Sequence, residues 1–196
     1  MLKTSITKPE VNDLPLGRFE GQISVIETIQ GISAAIEDIE KENIIGVDTE
    51  TRPTFKKGVM NKTALVQVAT KNKVYLFRLN KIGFPFALMR IFENSKIQKI
   101  GIAILQDMKE LSDQFYPFKH NNVTDLNVLC KTLKFENIGA RNLTAMLLGF
   151  RISKRQQTSN WESDSLNENQ LRYAATDAWV ARQIYLTLYH SKEFTF

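Results

Sequence analysis

An apolar run that ends in two acids, one residue apart, constrains this chain most: residues 44–50 read IIGVDTE. Ile44 to Val47 read as a buried strand. Asp48 and Glu50 then close it. Residues i and i+2 of a strand point to one face, so these two carboxylates project together with β-carbons about 6–7 Å apart. At an effective dielectric of ~20 their repulsion is on the order of 2–3 kcal/mol. Either the strand ends at Thr49 and both acids are solvated, or a cation sits between them.

The rest of the composition narrows what that cation can be. The chain has 196 residues, 43% hydrophobic and 24% charged, which suits one soluble domain with a sizeable core. There is one cysteine, Cys130, so no intrachain disulfide is possible and a reducing compartment is expected. The two histidines, His120 and His190, lie far apart in sequence, which argues against a His/Cys zinc site. A metal would have to be a hard cation held by carboxylates. No run of eighteen apolar residues exists, and the opening MLKTSITKPEVND lacks the apolar core of a signal peptide. We therefore expect a cytoplasmic protein with no membrane partner. The net charge of +5, from 26 basic and 21 acidic residues, is compatible both with nucleic-acid binding and with plain solubility.

Periodicity divides the chain into residues 1–20, an N-terminal arm containing Pro9 and Pro15, and residues 21–196, a single domain. Alternation predicts strands over 21–26, 44–49, 64–69 and 74–79, the last two joined by a tight Lys71-Asn72-Lys73 turn. Apolar residues at helical spacing predict helices over 29–40, 84–92, 107–115 and 126–133. Residues 97–104 read as a buried strand and 123–125 as a short one. Ser165 and Glu168 fit a capping box that opens a last helix running to about His190. Leu171, Ala174, Ala178, Ala181, Tyr185 and Leu188 form its apolar stripe. Before it, 153–160 (SKRQQTSN) has no period and reads as an exposed loop. The expected fold is an α/β mixed sheet of five to six strands, helices on both faces, its early strands a meander.

Further acids fall where they can join the first pair. Tyr173 and Asp177 stand four apart on the last helix and share a face at the border of its stripe. Two alanines between them allow another element to approach. Asp107 follows the strand over 97–104 and opens a helix, a place that the helix dipole also favours for an acid.

Together these segments resemble the three motifs of the DEDD family of 3′–5′ exonucleases, which includes ribonuclease D and the Werner-syndrome-type exonuclease domain. Asp48 and Glu50 match the Asp-x-Glu that ends the first strand. Asp107 matches the aspartate after a later strand. Tyr173 and Asp177 match Tyr-x-x-x-Asp on a helix. The likeness extends to Leu65-Val66-Gln67 and from Lys154 to Ala178, and it covers about residues 20 to 190. Arg172 stands where a sister branch has histidine, so the chain is similar to the tyrosine subtype.

The resemblance implies a ribonuclease-H-like fold and a mechanism with two divalent cations, Mg²⁺ or Mn²⁺. It implies that Asp48 bridges both ions, that Glu50 and Asp177 bind one, and that Asp107 supports the other through water. Tyr173 would orient the attacking water. Among substrate contacts it implies Lys154 on a phosphate, Trp161 packing the loop or stacking near the terminal nucleotide, Arg52 on phosphate, and Leu65 and Gln67 lining the terminal-base pocket. Partners would be DNA or RNA 3′ ends, with DNA expected first. The oligomeric state is left open.

The second motif lacks an asparagine or histidine ahead of Asp107, which leaves Asp113 as the nearest substitute. With the chain ending at Phe196, the extra helical domains of ribonuclease D and a fused helicase are expected to be absent. Two rivals belong to other classes. One is a non-catalytic nucleic-acid-binding module on the same fold. The other is a haloacid-dehalogenase-like phosphatase, which wants Asp-x-Asp and leaves the Tyr-x-x-x-Asp helix unexplained.

Overall fold

A computed structural model describes residues 2–54 and 61–191. In chain order the elements are α1 (Lys8–Asp13), β1 (Gln22–Ile26), α2 (Gln30–Ile39), β2 (Ile44–Thr51), β3 (Thr63–Ala69), β4 (Lys73–Arg78), α3 (Leu79–Ile82), α4 (Phe86–Glu93), β5 (Gln98–Gly101), α5 (Ile104–Gln114), β6 (Val123–Asp125), α6 (Leu126–Thr132), α7 (Ala140–Leu148) and α8 (Glu168–His190). The strands form one six-stranded sheet in the order β1-β4-β3-β2-β5-β6. β2, β3 and β4 are the expected antiparallel meander. The flanking pairs, β1 with β4, β2 with β5 and β5 with β6, are parallel.

Strand alternation assigns the two faces. Val47, Val66, Val68, Tyr75 and Phe77 pack with α2, α4 and α5. Leu65, Ala69, Val74 and Leu76 pack with Trp161 and with Ala174, Ala175 and Ala178 of α8. A separate cluster ties α6, α7 and the C-terminal half of α8 together around Leu126, Leu143 and Ile184. The alanine stripe has a geometric reason. α8 crosses β2 so closely that a β-carbon on Gly46 would stand 2.0 Å from the Ala178 carbonyl oxygen.

Several expectations shift. The strand predicted over 97–104 ends at Gly101, because Ala103 adopts a left-handed φ of 62° and Ile104 already opens α5. Asp125 holds that corner: its carboxylate accepts the Ala103 and Leu105 N–H groups and also caps α6 through the Asn127 N–H. The capping box of α8 sits two residues later than predicted. Asn167 and Gln170 form it, rather than Ser165 and Glu168. α7 was not predicted; no cap residue marks its start, which falls after Gly139.

The lead-in is not extended throughout. Thr7 and Glu10 make a capping box that opens α1. Val11 is buried, the Ile6 N–H donates to Asn137 at 2.8 Å, and the Glu136 N–H donates to the Thr4 carbonyl. These contacts dock the segment beside α7. Among the described residues, no helix is long and apolar enough to cross a membrane.

Candidate active site

The C-terminal end of β2 supplies two acids to the face that α8 covers. Asp177 on α8 meets them there, and the oxygens of Asp48, Glu50 and Asp177 come within 4.8 Å of one another. Three carboxylates at this spacing could hold a metal ion. Thr49, between them, points to the opposite face, where α5 lies. Its hydroxyl donates to the Asp107 carboxylate at 2.9 Å. Asp107 thus reaches the strand end from the other side of the sheet. It stands outside the tight trio but close enough for its charge to act on both Asp48 and Glu50. Asp113 is exposed further along α5. Asp107, not Asp113, is therefore the fourth acid beside the cluster.

Burial and mutual repulsion govern the electrostatics. Both push the Asp48 carboxyl well above the usual carboxylate range. Glu50 is pushed up to about 10, by burial first and then by the charges of Asp48, Asp177 and Asp107. Asp177 rises to about 7 through burial, with a hydrogen bond from Tyr173 and the charge of Lys154 pulling against that rise. Asp107 rises to about 6, again mainly through burial. Four carboxyls that resist ionisation when alone are a donor set that a hard divalent cation would stabilise. All their donor atoms are oxygen, which suits Mg²⁺ or Mn²⁺.

Tyr173 lies on the same side of α8 as Asp177, with its ring 6.0 Å from that of Trp161. Burial and the neighbouring acids raise its phenol above the normal value, so it stays protonated and its O–H donates to Asp177.

The residues expected to touch substrate divide into three groups. Lys154 lines a cavity of about 550 Å³ together with Asp48, Glu50, Tyr173 and Asp177. Leu65, Gln67 and Trp161 are each 0% exposed and line no described cavity. The first two do share a face, as expected, but α8 covers that face. Trp161 is a core residue that plugs the loop before α8. The fully buried Arg78 helps it, donating to the Asp164 and Ser163 carbonyls and to Glu27 at 2.8 Å. Arg52 is exposed and pairs with Glu162 at 3.2 Å, which links the end of β2 to the same loop.

Sequence reasoning passed over the far wall of the cavity, where Lys8, Arg141 and Asn142 stand. Their motifs carry no spacing signal. Only the fold brings α1 and α7 to the acids.

A mixed sheet whose first long strand delivers Asp-x-Glu to a helix bearing Tyr-x-x-x-Asp defines a carboxylate nuclease of the ribonuclease-H-like class. The comparisons agree. The family model described as 3′–5′ exonuclease matches residues 23–191. The chain is 31% identical over 196 residues to the bifunctional 3′–5′ exonuclease/ATP-dependent helicase WRN of Mus musculus, covering 95% of this chain and 14% of that protein. It is 29% identical over 199 residues to a 3′–5′ exonuclease of Arabidopsis thaliana, covering 93% of this chain and 69% of the relative. Among solved structures, the Aedes aegypti Nibbler EXO domain superposes with a TM-score of 0.80 at 23% identity, covering 90% of this chain and 94% of that one. Escherichia coli RNase D superposes with a TM-score of 0.77 at 20% identity, covering 86% and 44%. The chain belongs to the DEDD 3′–5′ exonuclease family.

Proposed function

We propose that the chain hydrolyses nucleic-acid phosphodiester bonds from the 3′ end and releases nucleoside 5′-monophosphates. One observation carries this reading: Asp48, Glu50 and Asp177 converge within 4.8 Å, beside Tyr173, in a cavity that also holds Lys154. A phosphatase of the haloacid-dehalogenase type has no use for the α8 pair. A pure binding module would not set repelling acids against phosphate.

Asp48, Glu50 and Asp177 would hold one divalent cation, Mg²⁺ or Mn²⁺. Asp107, fixed by Thr49, would support a second one shared with Asp48. Bound there, such a pair supplies an activated water and charge stabilisation of the scissile phosphate and the leaving 3′ oxygen. The protein's own groups do the rest. Tyr173 stays a protonated phenol whose O–H donates to Asp177, which leaves its oxygen to accept from the incoming water and orient it; at neutral pH it does not act as a base. Lys154 offers an ammonium to the phosphate.

DNA is the substrate that the sequence reading puts first. RNA is a second reading, favoured by likeness in fold to Trypanosoma brucei RNase D solved in complex with RNA U12, at a TM-score of 0.78 and 20% identity. One assay tests the function and separates the two substrates. A 5′-labelled DNA duplex with a recessed 3′ end and a matched single-stranded RNA are incubated with Mg²⁺, Mn²⁺ or EDTA. The expected result is a metal-dependent ladder that shortens from the 3′ end. A gel shift without shortening on either substrate would overturn the catalytic reading.

A further inference from the structure

The cavity that holds the acids has a second wall with no acids in it. Lys8 comes from α1, Arg141 and Asn142 from the first turn of α7, and Lys154 from the loop before α8. Three cations from three separate elements thus face three carboxylates in one cavity, and no ion pair joins the two sets. Among the described residues, the Lys8 and Lys154 ammonium groups make no hydrogen bond. One η nitrogen of Arg141 donates to Asn12 of α1, but its Nε is buried without a partner. Opposite charges left apart across a cleft are what a bound polyanion would need: cations for its phosphates on one side, and metal-loaded carboxylates on the other.

Two local features point the same way. Lys8 occupies the first turn of α1, at the positive end of the helix, where a lysine is electrostatically disfavoured. Its position serves the cleft rather than the helix. No side chain caps α7, so the first-turn N–H groups of Ala140, Arg141 and Asn142 lack a capping acceptor while these residues line the same cavity. Free helix N–H groups and two long cations make a surface suited to phosphate.

We propose that Lys8 and Arg141 bind a backbone phosphate of the substrate strand other than the scissile one, which makes the N-terminal helix α1 part of the substrate site. This rests on the exonuclease reading for the nature of the strand. It goes beyond the family match, which begins at residue 23, after α1 has ended. The contacts of α1 with α7 are then functional as well as structural. The Asn12–Arg141 bond holds the guanidinium on the cleft wall, and Val11 anchors the helix that carries Lys8.

The test is binding rather than turnover. A fluorescein-labelled single-stranded oligonucleotide is titrated by anisotropy in Mg²⁺ at several salt concentrations, with Asp48→Ala as the common background so that the strand survives. Lys8→Ala and Arg141→Gln are added singly. Lys41→Ala, an exposed lysine just before the far end of β2, is the control. Each phosphate contact contributes about 0.7 to the slope of log affinity against log salt for a single strand. Lys8→Ala should weaken binding several-fold, lower the slope by about 0.7 and leave Tm unchanged. Lys8→Arg should restore both, and Lys41→Ala should change neither.

An unchanged slope for Lys8→Ala and Arg141→Gln would overturn the proposal, whether affinity held or fell with Tm. Turnover by the chain without these substitutions, with metal on the same oligonucleotide, is read separately. Binding losses as expected but no turnover would sink the exonuclease reading and leave the phosphate wall standing.

Discussion

The two walls of the cleft are built in opposite ways. The acidic wall lies on the sheet and its covering helix: β2, paired on both sides, and α8, laid across it. Burial first, and then mutual repulsion, raises the proton affinity of its carboxyls. The basic wall lies on a six-residue helix, an uncapped helix start and an exposed loop. Its side chains are long cations. Ions that must be placed to a fraction of an ångström need the first kind of wall. A charged polymer that must enter, advance and leave tolerates the second.

If that contrast is real, the acidic wall should fail abruptly. Asp48→Ala removes the acid that both cations would share. We expect turnover to fall by on the order of 10³-fold or more. Circular dichroism should show the fold intact, and metal-free Tm should hold or rise, because a repelling charge has gone. Normal turnover would sink the site. Tyr173→Phe should cost less, about 10²-fold in turnover. Calorimetry should find Mn²⁺ affinity kept. A collapse of metal binding would mean that the phenol holds Asp177 in place instead of orienting water.

The same wall should also give itself away through pH without any mutation. Asp107, Asp177 and Glu50 hold their protons more tightly in the folded chain, at about 6, 7 and 10, than at their ordinary values of 3.8, 3.8 and 4.5. Their contribution to metal-free stability is therefore fully present below about pH 4 and is lost as pH rises through those folded values. A bound divalent cation replaces the protons. Saturating Mg²⁺ should accordingly raise Tm more at about pH 9 than at about pH 5.5, and its binding should release protons into a weakly buffered solution. A Tm gain independent of pH would mean that the cation sits elsewhere.

The acidic wall is also the part that the sequence discloses. Asp48 and Glu50 end an apolar strand, and Tyr173 and Asp177 share a helix face. Period and spacing put each pair on one face, and the resemblance to the DEDD motifs joins the two pairs into one site. Asp107 is legible as an acid after a strand, although the strand ends earlier than its apolar letters suggest. Apolar character cannot separate the end of β5 from the buried start of α5, and it is Asp125, eighteen residues on from Asp107, that makes the turn there. The basic wall is nearly invisible. Lys8 and Arg141 lie 133 residues apart in a chain with 26 basic residues, and only docking of α1 on α7 makes them neighbours. The substrate roles expected for Leu65, Gln67 and Trp161 met a limit of another kind. A shared strand face says which residues keep company, but not whether a helix covers them.

Gln67 offers the finest probe of that cover. It lies directly across from Asp48 in the β2–β3 register, on the acidic face, and it is fully buried with neither amide atom hydrogen-bonded. A buried unpaired amide costs about 1–3 kcal/mol, whereas leucine of similar size would cost nothing of the kind. If the amide is only packed, Gln67→Leu should raise stability by about 1 kcal/mol, or roughly 2–4 °C in Tm, and leave Mn²⁺ affinity alone. If the amide serves its neighbour, donating to Asp48 once that carboxylate is ionised, the gain in Tm should come with a loss of Mn²⁺ affinity in calorimetry. A fall in Tm would show instead that an internal water already satisfies Gln67. In either of the latter cases the covered face is more than packing, and the acidic wall extends one strand deeper than its carboxylates.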